Sequence, residues 1–219
     1  MTEFSQLTNT KIGAFLSYAL AFALIYNPFT KFPFTFVVII LAILLLTFLQ
    51  DGHLKALNFK KINGPEIRTI IVCYIVLELF MDFVVQPLAT QLFKEPADYS
   101  SFEFIAENTP AYFKYLAYMW ISAAIGEELL FRAFAFSQLE KIFGNSPSTI
   151  VILSAVFFSL PHLYQGPSGL LLTFLFGLAF GFIYMKSRNI WITILIHGMI
   201  DTVFLTLSYY GMLDFYTVF

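Results

Sequence analysis

Three short patterns set ionisable side chains inside apolar stretches. Gly126-Glu127-Glu128-Leu129-Leu130-Phe131-Arg132 holds two acids and a base. Phe157-Phe158-Ser159-Leu160-Pro161-His162 ends an apolar run on a histidine. His197-Gly198-Met199-Ile200-Asp201 places a histidine and a carboxylate one helical turn apart. Helix geometry sorts the first pattern. Glu128 and Arg132 are four residues apart on one face, acid before base, which is the favourable order. Glu127 lies about 100° round from Glu128 and about 140° from Arg132. Arg132 can therefore neutralise Glu128 and leave Glu127 free for another face. A free carboxylate, an imidazole and hydrogen-bond donors are what hydrolysis of a peptide bond by activated water requires. Each pattern also has a plainer reading: a buried charge network, a packed histidine beside a proline kink, and an intrahelical His–Asp pair.

The elements that position these residues are set by composition. Of 219 residues, 59% are hydrophobic and 12% charged, with 28 Phe and 12 Tyr. A soluble domain carries roughly 25% charged residues. Disorder is excluded by the hydrophobicity. The net charge of −2 makes no case for nucleic acid. One cysteine, Cys73, excludes a disulfide framework. The sequence predicts an all-α polytopic membrane protein with about seven transmembrane helices in one bundle. The seven stretches run approximately over 12–28, 33–50, 67–93, 110–137, 148–165, 168–186 and 190–212, each near the roughly 17–25 residues a span needs. The connections are short, so residues 1–219 read as a single integral membrane domain. Asn63-Gly64-Pro65 and Asn145-Ser146-Pro147 are turn signals, and Ser146 is placed to cap a helix that starts at Pro147.

Lys and Arg in the loops set the orientation. A cytoplasmic N-terminus puts Lys11, Lys55, Lys60, Lys61, Arg68, Lys141, Lys186 and Arg188 inside, and Lys31, Lys94 and Lys114 outside. Ala19-Leu20-Ala21 has the look of a cleavage site, but the apolar run continues past it, so the first span is expected to be a retained anchor. Inside the spans, charge is expensive, at roughly 2.5–3.5 kcal/mol per group at the bilayer centre. Glu78, Asp82, Glu127, Glu128, Arg132 and Asp201 must therefore be paired, protonated or turned towards a wet cavity. Glu78 and Asp82 are like charges at helical spacing and repel. They read as a structural, cavity-facing pair, at least one of them protonated or paired with Arg132 as a candidate partner; a proton path is the functional alternative. Gly177-x-x-x-Gly181 predicts close helix packing within the bundle.

The patterns Glu127-Glu128-x-x-x-Arg132, Phe158-x-x-x-His162 and His197-x-x-x-Asp201, in that order on three apolar segments, resemble the signature motifs of the CPBP family of intramembrane proteases. That family, also called ABI, includes the CaaX prenyl endopeptidases and bacterial proteins of bacteriocin processing and self-immunity. The resemblance covers residues 110–206, which would form the catalytic core. It implies that Glu127, assisted by His162, activates the attacking water, and that His197 and Asp201 stabilise the oxyanion. Glu128 and Arg132 would be structural support. Position 201 is Asn in many members, and a carboxylate donates no hydrogen bond unless protonated, so Asp201 could instead orient His197. Members are described both as metal-free glutamate proteases and as metalloproteases. No confident cofactor follows; if zinc is present, Glu127, His162 and His197 would hold it. The implied partners are the lipid bilayer and a membrane-associated peptide or protein substrate. The small compact form suggests a bacterial plasma membrane. Two other readings of the same residues are a non-catalytic immunity or binding protein and a proton-coupled transporter.

Overall fold

The computed structural model describes residues 3–216, all of whose regular structure is helical. A short α1 (Glu3–Thr8) leads into α2 (Lys11–Ala23), which tightens into a 3₁₀ turn at Leu24–Tyr26. Helix α3 (Phe34–Asp51) stops at Gly52, whose φ of 73° ends the helix in the left-handed region. Helix α4 (Gly64–Phe93) begins where Asn63 N–H donates to Glu66 Oε2 at 3.1 Å. Helix α5 (109–143) is the longest without interruption. Helices α6 (Pro147–Ser159) and α7 (Gly166–Ser187) are joined by a 3₁₀ stretch at Leu160–Gln165, and α8 (Ile190–Tyr209) follows. Pro147 does open α6, but Ser146 makes no capping bond. Its hydroxyl donates to the Phe143 carbonyl at 3.2 Å.

An all-α membrane fold fits this arrangement. Four helical runs are long and apolar enough to cross a bilayer: Phe34–Asp51, Gly64–Phe93, Pro147–Ser187 and Ile190–Tyr209. The apolar run Lys11–Tyr26 is shorter. Helix α5 has Glu127, Glu128 and Arg132 in its middle, and α6 and α7 follow each other without a break through the 3₁₀ turn at Leu160–Gln165. The chain folds back on itself there. A Cβ added at Gly177 would lie 2.9 Å from Ala155 Cα, and one at Gly181 would meet Val151 at 3.2 Å. Rising positions on α7 thus meet falling positions on α6, so the two are antiparallel, and the glycines serve packing inside the molecule.

Lipid is as apolar as the core, so helix association here rests on close packing and polar contacts between helices. The packed centre gathers Ile39 and Ile43 of α3, Phe131, Phe134 and Phe136 of α5, and Tyr184 of α7. Ile71, Val72, Ile75, Val76 and Leu79 of α4 stay exposed, which suits a face turned to acyl chains. Buried polar side chains pin the helices. Gln50 Nε2 donates to Ser17 Oγ at 3.0 Å, and Gln138 Nε2 donates to Gln50 Oε1 at 3.1 Å, tying α2, α3 and α5. Trp120 Nε1 donates to Thr202 Oγ1 at 3.1 Å, tying α5 to α8.

Candidate active site

Helix α5 departs from α geometry where the acids sit. Residues Trp120–Glu127 and Leu129–Phe134 are π-helical. A π turn spends an extra residue, shifts the side chains that follow and loosens the backbone bonding, and such turns concentrate at functional sites. The carbonyl of Phe131 in this stretch accepts a 2.5 Å hydrogen bond from the buried Ser154 hydroxyl of α6. One foreign side chain thus supports the irregular segment that carries Glu127, Glu128 and Arg132.

Glu128 and Arg132 are both fully buried, and Arg132 Nη1 lies 3.0 Å from Glu128 Oε1. The guanidinium is stacked between two rings, 4.1 Å from the Phe158 centroid and 5.1 Å from that of Phe180. Arg suits such a place because its planar, weakly hydrated cation accepts aromatic faces. Glu128 has a second partner that helical periodicity within one segment could not supply. Its Oε1 is 2.9 Å from His197 Nδ1. The result is a buried chain, Arg132–Glu128–His197, running from α5 to α8. Asp201 stands on the other side of the imidazole, with Oδ2 3.7 Å from Nε2, beyond hydrogen-bond length. Close approach of α8 is possible because position 198 is glycine. A Cβ there would lie 2.6 Å from the Trp120 ring.

His162 sits in the 3₁₀ stretch after α6, and its Nδ1 is 3.1 Å from the Phe158 carbonyl. A carbonyl only accepts, so Nδ1 carries the proton of that bond and a neutral ring keeps Nε2 as an acceptor. Glu127, His162, His197 and Asp201 line one cavity of about 430 Å³. Counted along straight helices, His197 lies shallower than the other two. That count does not hold around Glu127 and His162, where the π turns of α5 and the 3₁₀ turn before α7 change the rise per residue. The cavity walls are mainly aromatic and apolar, with Phe36, Phe158, Phe176 and Phe180 among them.

The sequence reading missed several polar members of this wall. Tyr99, Tyr164 and Gln165 line the cavity, and so does Tyr216, whose carbonyl accepts from Gln86 Nε2 at 2.6 Å. Nothing in an isolated tyrosine or glutamine marks it as cavity-lining. Glu78 and Asp82 also line it, together with Gln86 one further turn along. Arg132 is not their partner, because it is enclosed by Glu128 and the two phenyl rings. The spacing 78, 82, 86 was the available signal: a polar stripe at helical period on an otherwise apolar helix.

Among the described residues, no three His, Cys, Asp or Glu side chains are arranged to hold a metal ion. Glu127, His162 and His197 share the cavity but do not converge as a ligand set, and His197 Nδ1 is already engaged by Glu128.

Neither the curated proteins nor the solved structures contain a match to this chain. The protein-family profiles do contain one, over residues 109–203, described as type II CAAX prenyl endopeptidase Rce1-like. The matched segment runs from the start of α5 into α8 and holds all three motifs. Over residues 109–203, somewhat under half of its length, the chain is therefore similar to the Rce1-like CAAX proteases, the likeness that the three motifs carry.

Proposed function

We propose that this protein is an intramembrane endopeptidase in which Glu127 and His162 activate a water molecule against a peptide bond of a membrane-associated substrate. The observation that carries the reading is the shared cavity: four side chains from three separate motifs line one space walled by apolar groups. Glu127 takes one proton from the water as the oxygen attacks the carbonyl carbon, and Nε2 of His162 accepts a hydrogen bond from the other. The carbonyl oxygen becomes an oxyanion. As the C–N bond breaks, Glu127 returns its proton to the leaving amine. A positioned acid–base group of this kind contributes about 10²–10⁴-fold.

His197 supplies the oxyanion donor. With Nδ1–H given to Glu128, the ring offers Nε2–H only when doubly protonated. Glu128 at one nitrogen and Asp201 beyond the other balance that charge. Asp201 thus acts on the oxyanion through His197. Arg132 fixes Glu128, and Glu128 fixes the ring. No step is routed through a metal. The excess of Lys and Arg in one set of loops supports a cytoplasmic N-terminus, and the compact chain suits a bacterial plasma membrane.

The test compares peptide termini by mass spectrometry in membranes holding the wild type or Glu127→Ala at matched expression. Termini present only with the wild type are the expected result. Identical sets of termini, in membranes supplied with a library of membrane-inserting peptides, would overturn the reading.

A further inference from the structure

The charge inventory of the cavity is one-sided. Among the described residues, four carboxylates line it, Glu78, Asp82, Glu127 and Asp201, and no Lys or Arg does. Its cationic capacity is limited to His162 and His197, which the proposed reaction already uses. Glu78 and Asp82 lie outside the family match and outside the reaction steps above. Neither has a salt-bridge partner among the described residues. Carboxylates without a counter-charge are costly at membrane depth and mark functional positions.

Other groups in the same wall point the same way. Gln165 is only 7% exposed and lines the cavity, and its Oε1 has no hydrogen-bond partner. Glu78 Oε2 is also buried and without a hydrogen bond. Both atoms are acceptors. Along the wall that α4 and the turn before α7 contribute, these acceptors thus meet no donor, while the donors of Gln86, Gln165 and Thr173 are engaged elsewhere. A buried acceptor left unmade is unfavourable until a donor arrives. Met81–Val85 is π-helical, so the stripe Glu78, Asp82, Gln86 is interrupted by a second irregular turn at the cavity wall.

We infer that Glu78 and Asp82, with Gln165, form a subsite that receives a positively charged nitrogen of the peptide substrate. This rests on the endopeptidase reading for the word substrate, and on the cavity alone for the cation. The nitrogen is either a Lys or Arg side chain near the scissile bond or the peptide's free α-amine. Both present N–H donors and one positive charge to two carboxylates and an amide oxygen. Glu78 and Asp82 are positioning residues here and do not touch the reacting atoms.

Three hydrophobic peptides of equal length, each with a fluorophore at its C-terminus, separate the possibilities. One is N-acetylated with an internal Lys. One has norleucine there and a free N-terminus. One has norleucine and is N-acetylated. Binding is read by fluorescence anisotropy to the Glu127→Ala protein in phosphatidylcholine nanodiscs, whose zwitterionic surface adds no attraction for cations. At least one cationic peptide is expected to bind about tenfold or more tightly than the neutral one, the range for a hydrogen bond to a charged group. Which of the two does so identifies the source of the nitrogen. In Glu78→Gln with Asp82→Asn the preference should vanish while the neutral peptide still binds, which also shows that the variant is folded. Equal binding of all three peptides, or a preference that survives the double substitution, overturns the inference. Cleavage of the same peptides by the wild type is scored separately. Cleavage without cation preference would sink the subsite and keep the protease; preference without cleavage would keep the subsite and count against the protease.

Discussion

Adjacent glutamates should fail in opposite ways. Glu128 is fully buried against Arg132, itself fully buried between Phe158 and Phe180. Glu128→Gln keeps the shape and removes the charge, leaving a guanidinium with no counter-ion and no route to water. Breaking a buried pair by removing one partner costs about 3–5 kcal/mol. At about 2–4 °C per kcal/mol for a chain of this size, Tm should fall by about 6–20 °C. Glu127 has no ion-pair partner within 4 Å among the described residues and faces the cavity. Glu127→Gln should shift Tm by no more than about 2–4 °C, the equivalent of about 1 kcal/mol, and lower cleavage by about 10²–10⁴-fold. Intrinsic fluorescence in detergent reads the unfolding, since Trp120 and Trp191 both lie in the helical region concerned. A third variant, Glu128→Leu with Arg132→Met, removes both charges. It should return Tm to within about 5 °C of wild type, because apolar replacement of a whole buried pair is often neutral, yet remain inactive because His197 has lost its anchor. Equal Tm losses in the two single variants would refute the division of labour. An active Glu127→Gln would refute the proposed base.

Further expectations follow from single contacts. Ser154→Ala removes the side-chain donor that reaches the Phe131 carbonyl and should cost about 1–3 kcal/mol in thermal unfolding, with a loss of turnover because the π-helical segment is no longer held. Gly177→Leu places a side chain where Ala155 backbone already lies at 2.9 Å, and should cost about 1–3 kcal/mol in the same assay, without assembling or dissolving any oligomer. Gly198→Ala drives a methyl into the Trp120 ring and should depress turnover more than stability, read as a kcat loss in excess of the Tm shift, since α8 carries His197. Proteolysis should survive dialysis against a strong chelator; loss of activity restored by added zinc would overturn activation of water by Glu127 and His162 alone.

What could be read in the sequence was whatever one helix decides by itself. The Glu128–Arg132 pair follows from a four-residue spacing, and it is there at 3.0 Å. The glycine pair 177 and 181 announced a packed face, and that face meets Ala155 and Val151. The expected link between His197 and Asp201 also followed from spacing, but the stronger contact of His197 is with Glu128, on a different helix. An intrahelical rule cannot rank partners across the bundle, because interhelical distance depends on Gly198 admitting the Trp120 ring.

The irregular turns were illegible for a similar reason. Counting residues assumes a constant rise, whereas α5 is π-helical around Glu127 and the chain is 3₁₀ around His162. Charge was the most legible feature of all, since its cost in lipid leaves few ways to keep it. The acids, Arg132 and the two histidines of the three motifs, with Glu78 and Asp82, end either in the Arg132–Glu128–His197 chain or on the cavity wall. The two groups obey different logic. Charges in the chain are matched and sealed, so neutralising one of them strands another. Glu78 and Asp82 on the wall are open and share one sign, so they await something the protein itself does not provide. That asymmetry makes Glu78 and Asp82 informative: a purely structural pair in an apolar helix would be expected to carry its own cation, as Glu128 carries Arg132.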